Sequence, residues 1–186
     1  MNRWLFLAPV LFLVGCGQSS SDPLDKIAYG PGQHPDSFKY LLGSEPADAK
    51  DVIALRGDAK DGDAVVVVGR VGGSKQPVIK GRAAFTIVDL SLKPCNPGDE
   101  EECFDFACLG KEKVAKASAM VKFVDGQDKT LNVDAHQLLN APQLEGQIVV
   151  VRGVAKRDET NNLTIQANQI YLRPKQVVKA TESAQP

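Results

Sequence analysis

Three cysteines lie close together in the middle of the chain, in the sequence PCNPGDEEECFDFACLG. Seven residues separate Cys95 from Cys103, and four separate Cys103 from Cys108. Thiols at such short spacings can form a disulfide, hold a metal ion or carry out thiol–disulfide exchange. This cysteine-containing loop, residues 91–113, holds the densest group of reactive side chains in the sequence.

The spacing of the three cysteines favours a structural disulfide. The patterns CxxxxxxxC and CxxxxC match no zinc knuckle or ribbon, although acidic side chains nearby offer a fourth ligand: Asp99, Glu100, Glu101, Glu102 and Asp105. There is no CxxC pair, and the acids between the cysteines raise thiol pKa values rather than lower them. We expect one disulfide and no bound cofactor, with metal binding or redox chemistry by these thiols as the alternatives. Cys95 is favoured as one partner because its pairings close the wider loop, but all three pairings are open.

Other catalytic groups are scarce. The chain has two histidines, His34 beside a proline and His136 at the start of a predicted helix, and neither is paired in sequence with a nucleophile in a known motif. The glycines of Gly69-Arg70-Val71-Gly72-Gly73 lack the helix that follows them in a dinucleotide fingerprint. We therefore expect a protein that is not an enzyme.

The fourth cysteine, Cys16, directly follows a predicted export signal. Arg3 is followed by an apolar run, Trp4 to Val14, which is too short to span a bilayer. Leu13-Val14-Gly15-Cys16 resembles the lipobox of bacterial lipoproteins, which implies cleavage before Cys16 and acylation of its thiol and its new amine. Gly17 stands where, by resemblance to the sorting rule of some bacteria, an aspartate would retain the protein in the inner membrane. We expect a lipid anchor at Cys16 that faces the periplasm, with the outer membrane favoured.

The composition separates tails from one folded domain. Residues 1–15 are the predicted signal peptide, residues 16–45 a lipidated N-terminus and flexible tether rich in Gly, Pro and Ser, residues 46–174 the folded domain, and residues 175–186 a disordered tail. The alternative for four apolar residues of the tether, Phe38, Tyr40, Leu41 and Leu42, is that they dock on the folded domain. Lysine and arginine total 22 against 23 acids, and only 6% of the residues are aromatic. A nucleic-acid partner is not expected, because both a basic excess and stacking platforms are missing.

Two valine-rich segments predict paired strands. The first strand is AVVVVGRVGG from Ala64 to Gly73, and its partner, the fourth strand, is QIVVVRGVAK from Gln147 to Lys156. Three more strands are predicted over Ala83–Asp89, Ala117–Val124 and Leu163–Leu172. In the last of these the apolar parity changes, which predicts a bulge near Asn168.

Two helices complete the predicted elements. Ser44 and Pro46 favour a helix that Gly57 closes, with an apolar stripe of Ala49, Val52 and Ile53. Asp134 caps a short helix over Ala135–Leu139. The predicted core is formed by one face of each strand: Val66, Val68, Phe85, Ile87, Val121, Phe123, Val149, Val151, Leu163 and Ile165.

The order of three strands, a short helix and two strands predicts an all-β fold with short helices, the five-stranded OB-fold barrel, preceded by a helix and the lipoprotein signal. The segments VVVVGRVGG, GRAAFTIVD and QIVVVRGVAKRDETNNLTIQANQIYL resemble the OB-fold domains of extracytoplasmic lipoproteins from planctomycete-type bacteria. That group carries a cysteine-bearing insertion ending in a Trp-Asp-Tyr-Cys-Cys-like segment. In this chain the segment reads Phe104-Asp105-Phe106-Ala107-Cys108, with one cysteine replaced by Ala107.

The function expected from these features is that of a membrane-anchored periplasmic lipoprotein with a non-enzymatic binding module. Its partners are the bilayer, through acylated Cys16, and a protein, glycan or other envelope component. The alternatives are a metal-binding or thiol-redox protein that uses Cys95, Cys103 and Cys108, and a nucleic-acid binder by analogy of fold.

Overall fold

The structure is a computed structural model that describes residues 34–95 and 106–174. Six strands form one mixed sheet: β1 (Lys50–Asp51), β2 (Ala64–Val71), β3 (Ala84–Val88), β4 (Ser118–Phe123), β5 (Ile148–Arg157) and β6 (Leu163–Leu172). Short helices lie between them: α1 (Ser37–Tyr40), α2 (Val52–Asp58), α3 (Lys111–Lys116), α4 (Ala135–Leu138) and a 3₁₀ turn, Ala107–Leu109. The all-β class with short helices is confirmed.

The strands follow the order β1-β2-β3-β4-β6-β5, and β2 also pairs with β5. The predicted pairing of the two valine-rich strands is confirmed, since β2 and β5 run antiparallel from Ala64 opposite Val154 to Arg70 opposite Ile148. The parallel pairs are β1 with β2 and β4 with β6. β1 itself was not expected from the sequence, because it has only two residues.

The bulge predicted near Asn168 is confirmed. Arg152 lies opposite Gln169 and Gly153 lies opposite Ala167, so Asn168 is the extra residue of β6. This single insertion moves Ile170 onto the same face as Leu163, Ile165 and Ala167, and all four are buried in the core. The bulge therefore converts the broken apolar parity of the sequence into one continuous buried face.

One strand of the predicted core has the opposite inward face. Val67 and Val71 of β2 lie in the core and Val65 packs against it, whereas Val66 is only partly buried and Val68 is buried outside the core cluster. The prediction of Val66 and Val68 was wrong because four consecutive valines carry no alternation that distinguishes the two faces. The other eight predicted core residues all lie in the core.

The helix predicted from Ser44 begins later, at Val52. Lys50 and Asp51 are still extended because they pair with β2, and the buried carboxylate of Asp89 accepts the Ile53 N–H at 2.8 Å in the first turn. The buried residues of α2 are therefore Val52 and Leu55, while Ile53, placed in the predicted stripe, is 49% exposed. Gly57 lies inside α2, which ends one residue after it.

The folded part also begins before the predicted boundary at residue 46. Tyr40 is buried, and its ring meets the ring of Phe123 edge-on with centroids 5.1 Å apart. The next residue, Leu41, pairs with Ile170 in β6, and the N–H of Leu42 donates to the Ile170 carbonyl at 2.8 Å. The end of the predicted tether thus packs on the sheet. The signal peptide, residues 16–33 and the predicted tail lie outside the described residues.

Candidate functional site

The cysteine loop brings Cys95 and Cys108 together. Their sulfurs form a disulfide with a Cα–Cα distance of 5.7 Å, and the Cys108 N–H donates to the Cys95 sulfur at 3.0 Å. Cys108 is exposed and Cys95 is half-buried, so the bond is accessible to solvent. Cys103, the third candidate, lies outside the described residues, as does Cys16.

A small apolar cluster fixes both ends of this loop on the sheet. Phe106 is fully buried and packs with Leu92, Val114, Ala117 and Val88, the last residue of β3. In β3, Phe85 and Ile87 point into the main core, so Val88 and Ala84 lie on its outer face. Both are buried, which means that the outer face of β3 is covered at either end.

The described residues contain no group of three or more His, Cys, Asp and Glu side chains arranged to hold a metal ion. Of the three cysteines that the sequence offers as metal ligands, Cys95 and Cys108 lie in this part of the chain, and they are joined to each other in a disulfide.

His136 lies between two carboxylates, an arrangement that the sequence did not predict. Its Nδ1 is 2.7 Å from the Asp134 carboxylate, and its Nε2 is 3.1 Å from both oxygens of Glu145, in the turn before β5. Asp134 also accepts the His136 N–H, as predicted for the helix cap, and the Gly81 N–H at 3.2 Å. This His136 clamp joins the start of α4 to the loop before β3 and to the turn before β5.

The carboxylates set the charge of the imidazole. Partial burial lowers the pKa of His136, but the hydrogen bonds to Asp134 and Glu145 outweigh burial and hold the pKa above its ordinary value of 6.5. For Asp134, burial raises the pKa, and the hydrogen bonds from His136 and Gly81 outweigh that effect and lower it. The clamp is therefore strongest when His136 is protonated and both carboxylates are ionised.

A groove of about 350 Å³ lies at the open edge of β2, between β2 and α2. We call it the edge groove. Its lining consists of five apolar residues, of which only Ala64 is exposed, and four charged side chains: Leu55, Ala59, Ala64, Val65, Val66, Asp48, Lys50, Asp58 and Asp63. Leu55, Ala59 and Val65 belong to the core or pack against it, so the groove opens onto the main core.

The edge groove exists because the first three residues of β2 have a neighbouring strand on one side only. β1 pairs with Val67 and Val68, and β3 pairs with Arg70 and Val71, while no described strand pairs with Ala64–Val66 on that side. Preceding β1, Asp48 adopts a φ of 60°, in the left-handed region, so the chain turns away before it can extend the pairing. The open edge is thus set by one backbone turn.

Three of the four charges in the edge groove are acidic. Lys50 pairs with Asp58 at 3.0 Å, and the Asp63 carboxylate accepts the Lys60 N–H at 2.7 Å. All four charged side chains are exposed. The lining of the groove therefore combines an apolar floor with a net negative rim.

In the described residues no helix has the length and apolar character needed to cross a membrane. The chain matches no protein-family model, and no curated protein is detectably similar to it in sequence.

Proposed function

We propose that this protein is a membrane-anchored periplasmic lipoprotein whose folded part is a non-enzymatic OB-fold binding module for a protein or other envelope component. The observation that carries the proposal is the pairing of β2 with both β3 and β5. Through it, each of the strands β2, β3, β4, β6 and β5 has a partner on both sides, and α4 lies between β4 and β5. Three strands, a helix and two strands in this arrangement are typical of the OB barrel.

The filled interior of the sheet supports a protein that binds its partner on its outer surface. Valine, isoleucine and phenylalanine side chains of all five strands fill the core, and Val52, Leu55, Leu138 and Leu139 of helices α2 and α4 belong to the same cluster. A protein that binds large partners uses its outer surface and needs no internal cavity. The lipobox at Cys16 supports the envelope location, which limits the partners to molecules of that compartment.

The surface by which OB modules bind oligonucleotides and oligosaccharides is the outer face of their second and third strands, here β3 and β4. At one end of β3 that face is covered by the cysteine loop, where Val88 packs with Phe106. At the other end Ala84 is buried as well. The loop before β3 runs beside the strand, and its Pro77 carbonyl accepts the Thr86 N–H. This covering favours an envelope partner that docks elsewhere over a nucleic-acid chain laid across β3.

Photo-cross-linking in the protein's own cells tests the proposal. A light-activated amino acid is placed at exposed or half-buried surface positions of the full-length chain, one at a time: Ala64 in the edge groove, Met120 on β4 and Ile79 in the loop before β3. A binding module predicts a light-dependent adduct of one defined mass from at least one position. Adducts from none of them would contradict the proposal, and an adduct destroyed by nuclease would favour the nucleic-acid alternative.

A further inference from the structure

The backbone of β2 directs hydrogen-bonding groups into the edge groove. The Asp63 carbonyl accepts the Ala155 N–H, so residue 63 points its polar groups toward β5. Backbone groups alternate sides along a strand, and those of Ala64 and Val66 therefore point away from β5. Both residues line the groove. The register of Lys50 opposite Val67 assigns the Val66 carbonyl to the Lys50 N–H, while no described strand pairs with the Val66 N–H or with either backbone group of Ala64 there. An extended chain placed in the groove would find the pairing groups of a sheet edge.

The shape of the groove fits a short strand and no more. β1 already occupies the edge at Val67 and Val68, so an added strand has only Ala64–Val66 to pair with. The side chains of an added strand alternate between the two sides of the sheet, and one side meets the apolar floor formed by Leu55, Ala59 and Val65. Edge strands are ready templates for added chains, and alternate side-chain pockets give such binding its specificity.

The charges select the occupant. The rim carries Asp48, Asp58 and Asp63 against Lys50, and Lys50 is engaged by Asp58. The carboxylates of Asp48 and Asp63 remain, and they attract cations and repel an acidic chain. A peptide with lysine or arginine on the rim side and an apolar residue on the floor side satisfies both surfaces.

We propose that the edge groove binds an extended basic segment of a partner protein, which adds to β2 as a short strand beside β1. This assignment rests on the proposed binding function and specifies its partner. The strand supplies backbone hydrogen bonds to both groups of Ala64 and to the Val66 N–H, an apolar side chain to the floor, and cationic side chains to Asp48 and Asp63.

The test uses the acetylated, amidated peptide Lys-Val-Lys-Val-Lys and its glutamate counterpart Glu-Val-Glu-Val-Glu as probes. Each is titrated into the full chain with Cys16→Ser, which is free of lipid, and backbone amide signals are followed by NMR. We expect the lysine peptide to shift the amides of Ala64, Val65 and Val66, and the glutamate peptide to leave them unchanged. Equal shifts with both peptides, or shifts confined to other parts of the chain, would overturn the assignment.

Three variants separate charge from backbone pairing. Asp48→Asn with Asp63→Asn should weaken binding of the lysine peptide about tenfold, because two charge contacts are lost while the Lys60 N–H keeps an oxygen acceptor. Asp128→Asn, in the exposed turn after β4, is the matched control and should leave the affinity unchanged. Ala64→Pro removes the N–H that faces the groove and spares the pairing with β5, so it should abolish the shifts in a folded protein. Unaltered affinity in both the double variant and Ala64→Pro would refute the added strand.

The outcomes also distinguish this assignment from the proposed function. If the lysine peptide leaves Ala64–Val66 unchanged while cells still yield a defined adduct from Met120 or Ile79, the groove assignment fails and the binding module stands. If no surface position yields an adduct, the proposed function fails as well.

Discussion

Strands β5 and β6 approach closely at the bulge, and this contact allows the change in stability caused by Gly153→Ala to be predicted. A Cβ at this position would overlap the carbonyl oxygen of Gln166 and lie 3.0 Å from the Cα of Ala167. Both are backbone atoms of β6, so no side-chain rotation can relieve the contact and the strands must separate. Overpacking of this kind costs about 1–3 kcal/mol, and the entropy that alanine removes from the unfolded chain returns about 0.4–1 kcal/mol. The net loss of stability is expected to be about 1–2 kcal/mol.

Urea denaturation followed by circular dichroism measures this change, with every variant in the same Cys16→Ser chain. Gly57→Ala is the matched control, because Gly57 is exposed within α2 and a Cβ there has no neighbour within 4 Å. The control should be stabilised by about 0.5–1 kcal/mol, as expected for glycine replaced in a helix. A Gly153→Ala protein as stable as its parent would refute the close strand approach and the placement of the bulge at Asn168.

Three further predictions concern the core, the His136 clamp and the disulfide. Val151→Asp buries an unpaired charge at a fully buried site and should unfold the domain, since the cost of several kcal/mol approaches a typical total stability of about 5–15 kcal/mol; an unchanged thermal melt would reject the core assignment. The pKa of His136 is raised in the fold, so the clamp stabilises the protein fully below the unfolded pKa of 6.5, and this stabilisation is lost as pH rises through the folded pKa. The Tm of the parent protein should therefore exceed that of Glu145→Gln by more at about pH 5.5 than at about pH 8.5. A difference in Tm that does not change with pH would argue against the clamp. Thiol counting and peptide mapping of protein from the periplasm should show one free thiol and a Cys95–Cys108 disulfide, which would be contradicted by three free thiols or by stoichiometric bound metal.

The strands could be predicted from the sequence because their residues carry a local signal. Runs of β-branched residues define β2 and β5, and the change of apolar parity after Ala167 locates the bulge. The inward face of β2 could not be predicted, because Val65, Val66, Val67 and Val68 are chemically identical. Only the pairing with β5 and the position of the core decide between them.

The features that were missed depend on contacts between distant segments. The start of α2 is set by β1 pairing with β2 and by Asp89, which lies 36 residues after Ile53. Glu145 faces His136 across a turn, and no motif links the two in sequence. The edge groove results from a single left-handed residue, Asp48, and from the short reach of β1. Such features come from tertiary arrangement rather than from local pattern.

The proposed lipid anchor at Cys16 would hold the binding module at the membrane, where the proposed protein or other envelope partner is found. Intact-mass analysis of the N-terminal peptide, purified from the protein's own cells, tests it most directly. We expect a chain that begins at Cys16 and carries the added mass of two or three acyl chains. A chain that still begins at Met1, or one cut elsewhere with an unmodified Cys16, would contradict it.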